Sequence, residues 1–335
     1  MIHWGIIGCG NIAHTFAQSM THTKQGIIRG CAARQLSRAI DFSNQYRIEK
    51  VYDDYLALIN DPLIDAIYIA TPHNFHAEHI ALALSHQKHV LCEKPLALNQ
   101  HQAQHCYALS HQHKCLLVEG TWTRFLPAIQ DLQLQLAKNV IGRIKHVSAN
   151  FSITGNFMPE HRLLNPDLGG GALLDLGIYP ITLADIVFAK PPSMIQSSYQ
   201  KALTGVDENS FYQLQYDCGA VAQLSAGYAM HAPTHAIISG DTGYITIPDF
   251  LGAQEYTIHR YKNNIKQEPT IHSFPFTSEQ HFKFEIEHCH DMIMKQKTQS
   301  TIIDEATNIR MMTIMDIIRH QWGLLYPQEE KVNND

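Results

Sequence analysis

The stretch GIIGCGNIA, residues 5–13, passes from an apolar strand into a turn around Gly8 and Gly10, then into a helix opened by Asn11 and Ile12. Small residues there let the backbone turn sharply and approach a pyrophosphate, whose charge the helix N-terminus meets. Ala13 stands where a third glycine often sits. Alone, the pattern also fits a tight strand-to-helix turn in another α/β protein, so its context decides. That context is a series of short apolar runs alternating with amphipathic ones. Strands are predicted at 4–7, 27–32, 66–70, 89–92 and 116–118, and helices at 11–20, 37–45, 75–85 and 99–111.

After VEGTWTRFLP, residues 118–127, the rhythm changes. A helix near 128–138, a strand at 144–151 and a helix at 172–188 precede several alternating stretches between residues 193 and 267, separated by Gly, Asp and Asn turns. Consecutive strands with short links indicate a mostly antiparallel sheet. Helices near 278–295 and 304–325 close the chain, and PQEEKVNND reads as a frayed tail. The 335 residues exceed one ordinary core. The expected architecture is an α/β Rossmann domain over 1–121 and an α+β domain with an open, mostly antiparallel sheet over 122–335.

With 25 basic and 31 acidic side chains the net charge is -6, which offers no footprint for a nucleic-acid backbone and makes a small molecule the natural partner. Seven cysteines without a CxxC pair fit reduced thiols. The N-terminus lacks a leader pattern, and no stretch is read as reaching the roughly 18 uncharged apolar residues of a membrane span, so a soluble cytoplasmic protein is expected.

An NAD site usually places an acid about 20 residues beyond the glycine turn, at the end of the second strand, for the ribose hydroxyls. Here Arg34 and, one helical turn later, Arg38 occupy that region. Two guanidinium groups suit a 2'-phosphate, so NADP is expected, with NAD possible. The alternative is that both arginines merely solvate a surface helix. Thr71, His73 and Asn74 in ATPHNFHAEH, with Glu93 and Lys94 in CEKPL, fall at carboxyl ends of strands, where ligands collect. His73, His76 and His79, like the HCH at 288–290, lack recognised metal-ligand spacing, and no metal is expected. The helix carrying HCH has Phe282, Ile286, Cys289 and Ile293 as its apolar stripe, with His288 and His290 beside it.

The motifs GIIGCGNIA, AARQLSRA, TPHNFH, CEKPL, WTRFLP and GGGALLDLGIYP, with EIEHCHD near the end, stand in the order and spacing of the glucose-fructose oxidoreductase and inositol dehydrogenase superfamily, which the chain resembles over almost its whole length. Tyr179, where many members carry His, together with WTRF, is similar to the branch holding dimeric dihydrodiol dehydrogenase and NADP-dependent xylose dehydrogenase. The resemblance implies a Rossmann domain, a second domain whose outer sheet face makes a subunit contact, and hence a homodimer or larger assembly. It also implies that Lys94 sits by the nicotinamide before a cis Pro95, that Asp175 and Tyr179 are the acid and phenol of the catalytic centre, and that Trp122 and Arg124 line the cofactor and substrate pocket; His76, within the cofactor motif, is counted with the cofactor-binding residues.

GGGALLDLGIYP places Asp175 and Tyr179 at i and i+4, on one face of a helix otherwise suited to burial. Facing the crevice of the first domain, they can meet Lys94 and serve hydride transfer, with Tyr179 as general acid/base. Trp122 and Phe151 suit the apolar faces of a sugar or cyclic diol, and Arg162 either orders its loop or touches substrate. The alternative for this helix is a core tyrosine with a satisfied hydroxyl and an aspartate serving a helix terminus. The expected activity is NAD(P)-dependent oxidoreduction at a hydroxyl carbon of a sugar, polyol or cyclic trans-diol. A glycoside hydrolase with tightly bound NAD and a non-catalytic dinucleotide-binding regulator are the other two readings.

Overall fold

Short apolar runs become five parallel strands, β1 (Ile2–Ile7), β2 (Gly26–Ala32), β4 (Ala66–Ile69), β5 (His89–Glu93) and β6 (Leu117–Gly120), joined by a sixth of three half-buried residues, β3 (Lys50–Tyr52). They lie in the order β3-β2-β1-β4-β5-β6, with crossover helices α1 (Asn11–Met20), α2 (Leu36–Tyr46), α3 (Tyr55–Ile59), α4 (His76–Ser85) and α5 (Gln100–His113). Ile6, Ile7, Ile67, Ile69, Leu91 and Val118 are fully buried, and Phe16 of α1 stacks on Tyr68 with ring centroids 3.8 Å apart. The strand order reverses at β1, which places the ligand crevice of such a sheet at the ends of β1 and β4. The computed structural model describes residues 1–330.

This sheet belongs to the first of two compact units, Met1–Phe125 with Phe276–Asn308; the second comprises Leu126–Pro275 and the chain from Ile309 onward. In the second unit come α6 (Pro127–Ala137), β7 (Ile144–Ser152), α7 (Ile178–Phe188), β8 (Met194–Lys201), β9 (Asp207–Gln215), β10 (Val221–Gly227), β11 (Ala236–Gly240), β12 (Gly243–Ile247), β13 (Glu255–Lys262), β14 (Ile265–Lys266) and β15 (Thr270–Ser273). The strands form one sheet in the order β14-β13-β12-β11-β7-β10-β9-β8, with β15 on β13. Every pairing is antiparallel except β10 with β7. Across β8, β9 and β10 the register aligns Gln196, Gln213 and Gln223 in one row and Ser198, Phe211 and Ser225 in the next. These rows line a shallow depression on the sheet.

Several expectations need correction. The chain does not divide into two contiguous pieces at 121/122, because Phe276–Asn308, including α8 (Lys283–Met294), belongs to the first unit. There the Trp4 indole donates to Nε2 of His290 at 2.9 Å, and the Ser19 hydroxyl donates to the Glu279 carbonyl at 2.6 Å. His290 is therefore in the core rather than beside the stripe of α8. The expected frayed tail is partly ordered: after α9 (Glu305–Trp322) a short helix α10 (Pro327–Glu330) follows, and Glu329 accepts from the buried Arg319 at 2.7 and 2.9 Å. Residues 331–335 lie outside the described residues. By length and composition Pro166–Phe188 could cross a membrane, but 89% of its most apolar window is buried inside the fold.

An indole N–H can only donate, so His290 accepts at Nε2 and is neutral. Burial, aided by the N-terminal ammonium, lowers its pKa from 6.5 to about 4. Below pH 6.5 the unfolded chain takes up a proton that the folded chain refuses until about pH 4, so stability falls as pH falls through this window. Thermal unfolding followed by circular dichroism should show a declining Tm across it, with a shallower decline in His290→Gln.

Candidate active site

The first unit gathers its candidate residues at the carboxyl ends of its strands. Gly8 follows β1 at φ +93°, and a Cβ there would lie 2.7 Å from the Ala70 carbonyl oxygen, so the protein itself demands glycine. Gly10 differs: its φ is -91°, and an added Cβ would meet nothing within 4 Å. No side chain caps α1 at Gly10, and Asn11 and Ile12 are exposed. Unclaimed N–H groups facing open space are what a pyrophosphate requires.

Beyond β2 the exposed Arg34 and Arg38 stand where an acid would serve NAD, and the Arg34 guanidinium lies 5.7 Å from the Phe75 ring centroid. After β4, the Thr71 hydroxyl and Nδ1 of His79 are 3.0 Å apart, His73 is buried, and the buried Oδ1 of Asn74 has no hydrogen-bond partner. An orphaned acceptor in the turn after β4 fits a dinucleotide's hydroxyl or amide donors. His76 does not fit the cofactor-binding role expected of it. It is fully buried, with Nδ1 2.8 Å from the Pro95 carbonyl and Nε2 2.8 Å from the Thr71 carbonyl, so its ring turns inward between two loops and, when neutral, donates to one of the two. Burial brings its pKa down to about 4 although both carbonyls oppose this.

After β5, Glu93 is buried and accepts from the Tyr68 hydroxyl at 2.6 Å. Lys94 is half-buried, and the Lys94–Pro95 bond is cis. After β6, a 3₁₀ turn spans Trp122–Phe125. The Trp122 indole packs on His281 and Phe282, with centroids 4.9 and 6.0 Å away, and Arg124 is buried.

In the second unit Asp175 and Tyr179 are not on one regular α-helix. Leu173–Gly177 is a π-helical turn leading into α7, a feature that often marks functional sites. The glycines explain how the chain reaches it. Gly171 has φ +120°, and a Cβ there would fall 2.4 Å from Oδ1 of Asp207. The Oδ2 of buried Asp207 accepts from the Leu173 N–H at 2.6 Å and from the Ser210 hydroxyl at 3.0 Å. Burial pushes the Asp207 carboxyl up to about 6, against these donors.

Asp175 is itself buried. Its Oδ1 is 3.4 Å from Nη1 of Arg162, and its Oδ2 accepts from the Tyr228 hydroxyl at 3.1 Å. Between the two roles open to Arg162, the structure shows an ion pair with Asp175. Burial and the charge of Asp175 hold the Tyr228 phenol well above its ordinary range, so it remains a donor. Tyr179 meets the Phe151 ring edge-on at 5.6 Å, and Phe157 meets Tyr228 similarly at 5.7 Å. The sequence reading missed Tyr228, whose only local signal is a tyrosine directly after β10.

A parallel sheet with a dinucleotide turn, followed by a second unit whose π turn and α7 carry a buried acid and phenol, is the plan of a nucleotide-dependent oxidoreductase. The chain belongs to the GFO/IDH/MocA oxidoreductase family: residues 2–121 match its NAD-binding Rossmann-fold domain and 129–246 its C-terminal domain. It is 32% identical over 329 residues to the trans-1,2-dihydrobenzene-1,2-diol dehydrogenase of Xenopus laevis, covering 97% of this chain and 99% of that one. Among solved structures it resembles a mutant of KijD10, a 3-ketoreductase from Actinomadura kijaniata in complex with TDP-benzene and NADP. The TM-score is 0.82 at 25% identity, over 95% of this chain and 97% of that one. The fold is also that of the aldose-aldose oxidoreductase from Caulobacter crescentus, with TM-score 0.85 at 19% identity, covering 96% and 98% of the two chains.

The two glycines make separable tests. Gly8→Ala should lower stability by roughly 1–3 kcal/mol in urea unfolding, from strain at its positive φ. Gly10→Ala should leave stability within about 1 kcal/mol of wild type while weakening NADP binding at least tenfold by calorimetry, since only a ligand needs that space.

Proposed function

We propose that the chain is an NADP-dependent oxidoreductase that moves a hydride between nicotinamide and a hydroxyl-bearing carbon of a sugar, polyol or cyclic trans-diol. The observation that carries this reading is the presence of Lys94, Asp175 and Tyr179, in the motifs described, within a chain that aligns over 97% of its length with a diol dehydrogenase. The absence of an acid after β2, with Arg34 and Arg38 exposed there, supports NADP over NAD. Gly8, Gly10, Asn11 and Ile12 hold the pyrophosphate, while Thr71, His73, Asn74, Glu93 and Arg124 shape the remainder of the dinucleotide site.

When bound, the nicotinamide accepts or supplies the hydride. Tyr179 takes the hydroxyl proton during oxidation and returns it during reduction. A phenol titrates near 10, and lowering it by two units requires roughly 2.7 kcal/mol of differential stabilisation, the task assigned to the Lys94 ammonium. Asp175, steadied by Tyr228 and Arg162, accepts a hydrogen bond from a substrate hydroxyl or orients Lys94. Trp122 and Phe151 cover the apolar faces of the substrate ring. The enzyme works in the cytoplasm as a homodimer: all seven cysteines are unpaired thiols, and the polar rows across β8, β9 and β10 suit a hydrated contact with a second copy.

Tyr179→Phe should lower kcat roughly a hundredfold or more while the Kd for NADP stays within about twofold of wild type. Full turnover in that variant, followed by absorbance of reduced nicotinamide with trans-dihydrodiols, aldoses and inositols as substrates, would remove Tyr179 from the mechanism. Arg34→Ala and Arg38→Ala should each raise the Kd for NADP by roughly tenfold to a hundredfold and leave that for NAD nearly unchanged. Equal weakening of both would assign the arginines elsewhere.

A further inference from the structure

Asp175 projects from a turn that does little to fix itself. Three glycines precede it, and the first residues of any helix carry N–H groups with no partner inside the helix. Tyr228 and Arg162 meet the Asp175 carboxylate, but the backbone that carries it is held from elsewhere. Asp207, fully buried at the start of β9, accepts the Leu173 N–H at 2.6 Å where the π turn opens. It thus caps this helical segment from a neighbouring strand, and its charge suits the positive end of the helix dipole. Tyr326, buried beyond α9, donates its hydroxyl to the Gly170 carbonyl at 2.7 Å. Both partners press on Gly171: a Cβ there would lie 2.4 Å from Oδ1 of Asp207 and 3.4 Å from the Tyr326 hydroxyl. The Gly171 carbonyl in turn accepts the Asp175 N–H at 3.3 Å, so a shift of this glycine reaches the acid directly.

We propose that Asp207 is a positioning residue for Asp175: by holding the Leu173 N–H, while Tyr326 holds Gly170, it fixes the backbone that presents the Asp175 carboxylate. The inference rests on the reading that Asp175 acts on a substrate hydroxyl or on Lys94. Loss of the Asp207 carboxylate leaves a buried N–H without an acceptor, which the glycine-rich segment can satisfy only by moving. Tyr326 has its own support, since its N–H donates to Glu329 at 2.9 Å and its ring centroid lies 5.0 Å from the Arg319 guanidinium. A purely structural bond would lower the stability of the fold and leave turnover per folded molecule unchanged. A positioning bond lowers turnover, and only while Asp175 is there to be positioned.

The test is a double-mutant cycle in the full chain at about pH 8, above the value of about 6 near which Asp207 takes up its proton. Turnover is followed by absorbance of reduced nicotinamide with trans-dihydrodiols, aldoses and inositols. Asp207→Ala should lower kcat about tenfold or more, with KM within about threefold and the Kd for NADP within about twofold. Asp207→Asn, whose amide oxygen can accept the Leu173 N–H, should recover most of that loss. In an Asp175→Ala background, Asp207→Ala should cost less than about twofold. Amide hydrogen exchange read by mass spectrometry should speed up across residues 171–179 in Asp207→Ala and stay as in the wild type across residues 2–32. Wild-type kcat or unchanged exchange in Asp207→Ala overturns the proposal, and so does an equal loss of kcat in both backgrounds. If Asp207→Ala fails to fold, Tyr326→Phe carries the same cycle, with a loss of roughly threefold or more expected only where Asp175 is present; no loss, or an equal one, overturns the role. Full activity in Asp175→Ala would instead overturn the reading of Asp175, and the positioning role with it, while the faster exchange in Asp207→Ala remains.

Discussion

Three consecutive glycines have no side chains with which to fix their own path, so the arrangement around Asp175 depends on what grips that backbone from outside. Asp207 supplies the principal hold, accepting the Leu173 N–H at 2.6 Å where the π turn begins. The carbonyls of Asn165 and Leu163 take the N–H groups of Gly170 and Gly171. The Tyr326 hydroxyl donates to the Gly170 carbonyl at 2.7 Å, and the Tyr228 hydroxyl, which has one proton for Asp175 and the Gly171 carbonyl, lies 3.1 and 3.3 Å from them. A Cβ at Gly170 would fall 2.8 Å from the Asn165 backbone and one at Gly171 2.4 Å from Asp207, while Gly169 adopts φ +73°. What looks in the sequence like slack is a backbone clamped on several sides.

The parallel sheet was legible because burial on both faces writes a nearly continuous apolar run for each strand, and crossover helices write a different period between them. β3 escaped because its three residues are all half-buried and leave no apolar signature. The return of residues 276–308 to the first unit escaped for a deeper reason: amphipathicity shows that a helix face is covered, not which sheet covers it. The contiguous boundary and the placing of His290 beside a stripe failed together on that point.

At the candidate site, the motif residues were recognisable by type and spacing, but their hydrogen-bond partners were not. Tyr228 lies 53 residues from Asp175 and is brought to it by the sheet that ends at Gly227. His76 was misjudged because proximity to ligand-binding positions in sequence says nothing about direction, and its ring turns inward to two carbonyls. The π turn is invisible to an i, i+4 argument, since the inserted residue changes no amino-acid type. By contrast, the different demands on Gly8 and Gly10 emerge only from coordinates, although both belong to one motif.

Trp4 and His290 are hydrogen-bonded across 286 residues of sequence. Synthesis from the N-terminus therefore brings the nucleotide-binding sheet out of the ribosome long before its last helix exists, and the indole N–H must wait for a partner while residues 126–275 of the second unit are made. The nascent first unit is an incomplete body with an open flank throughout that interval, and it is completed only when residues 276–308 emerge.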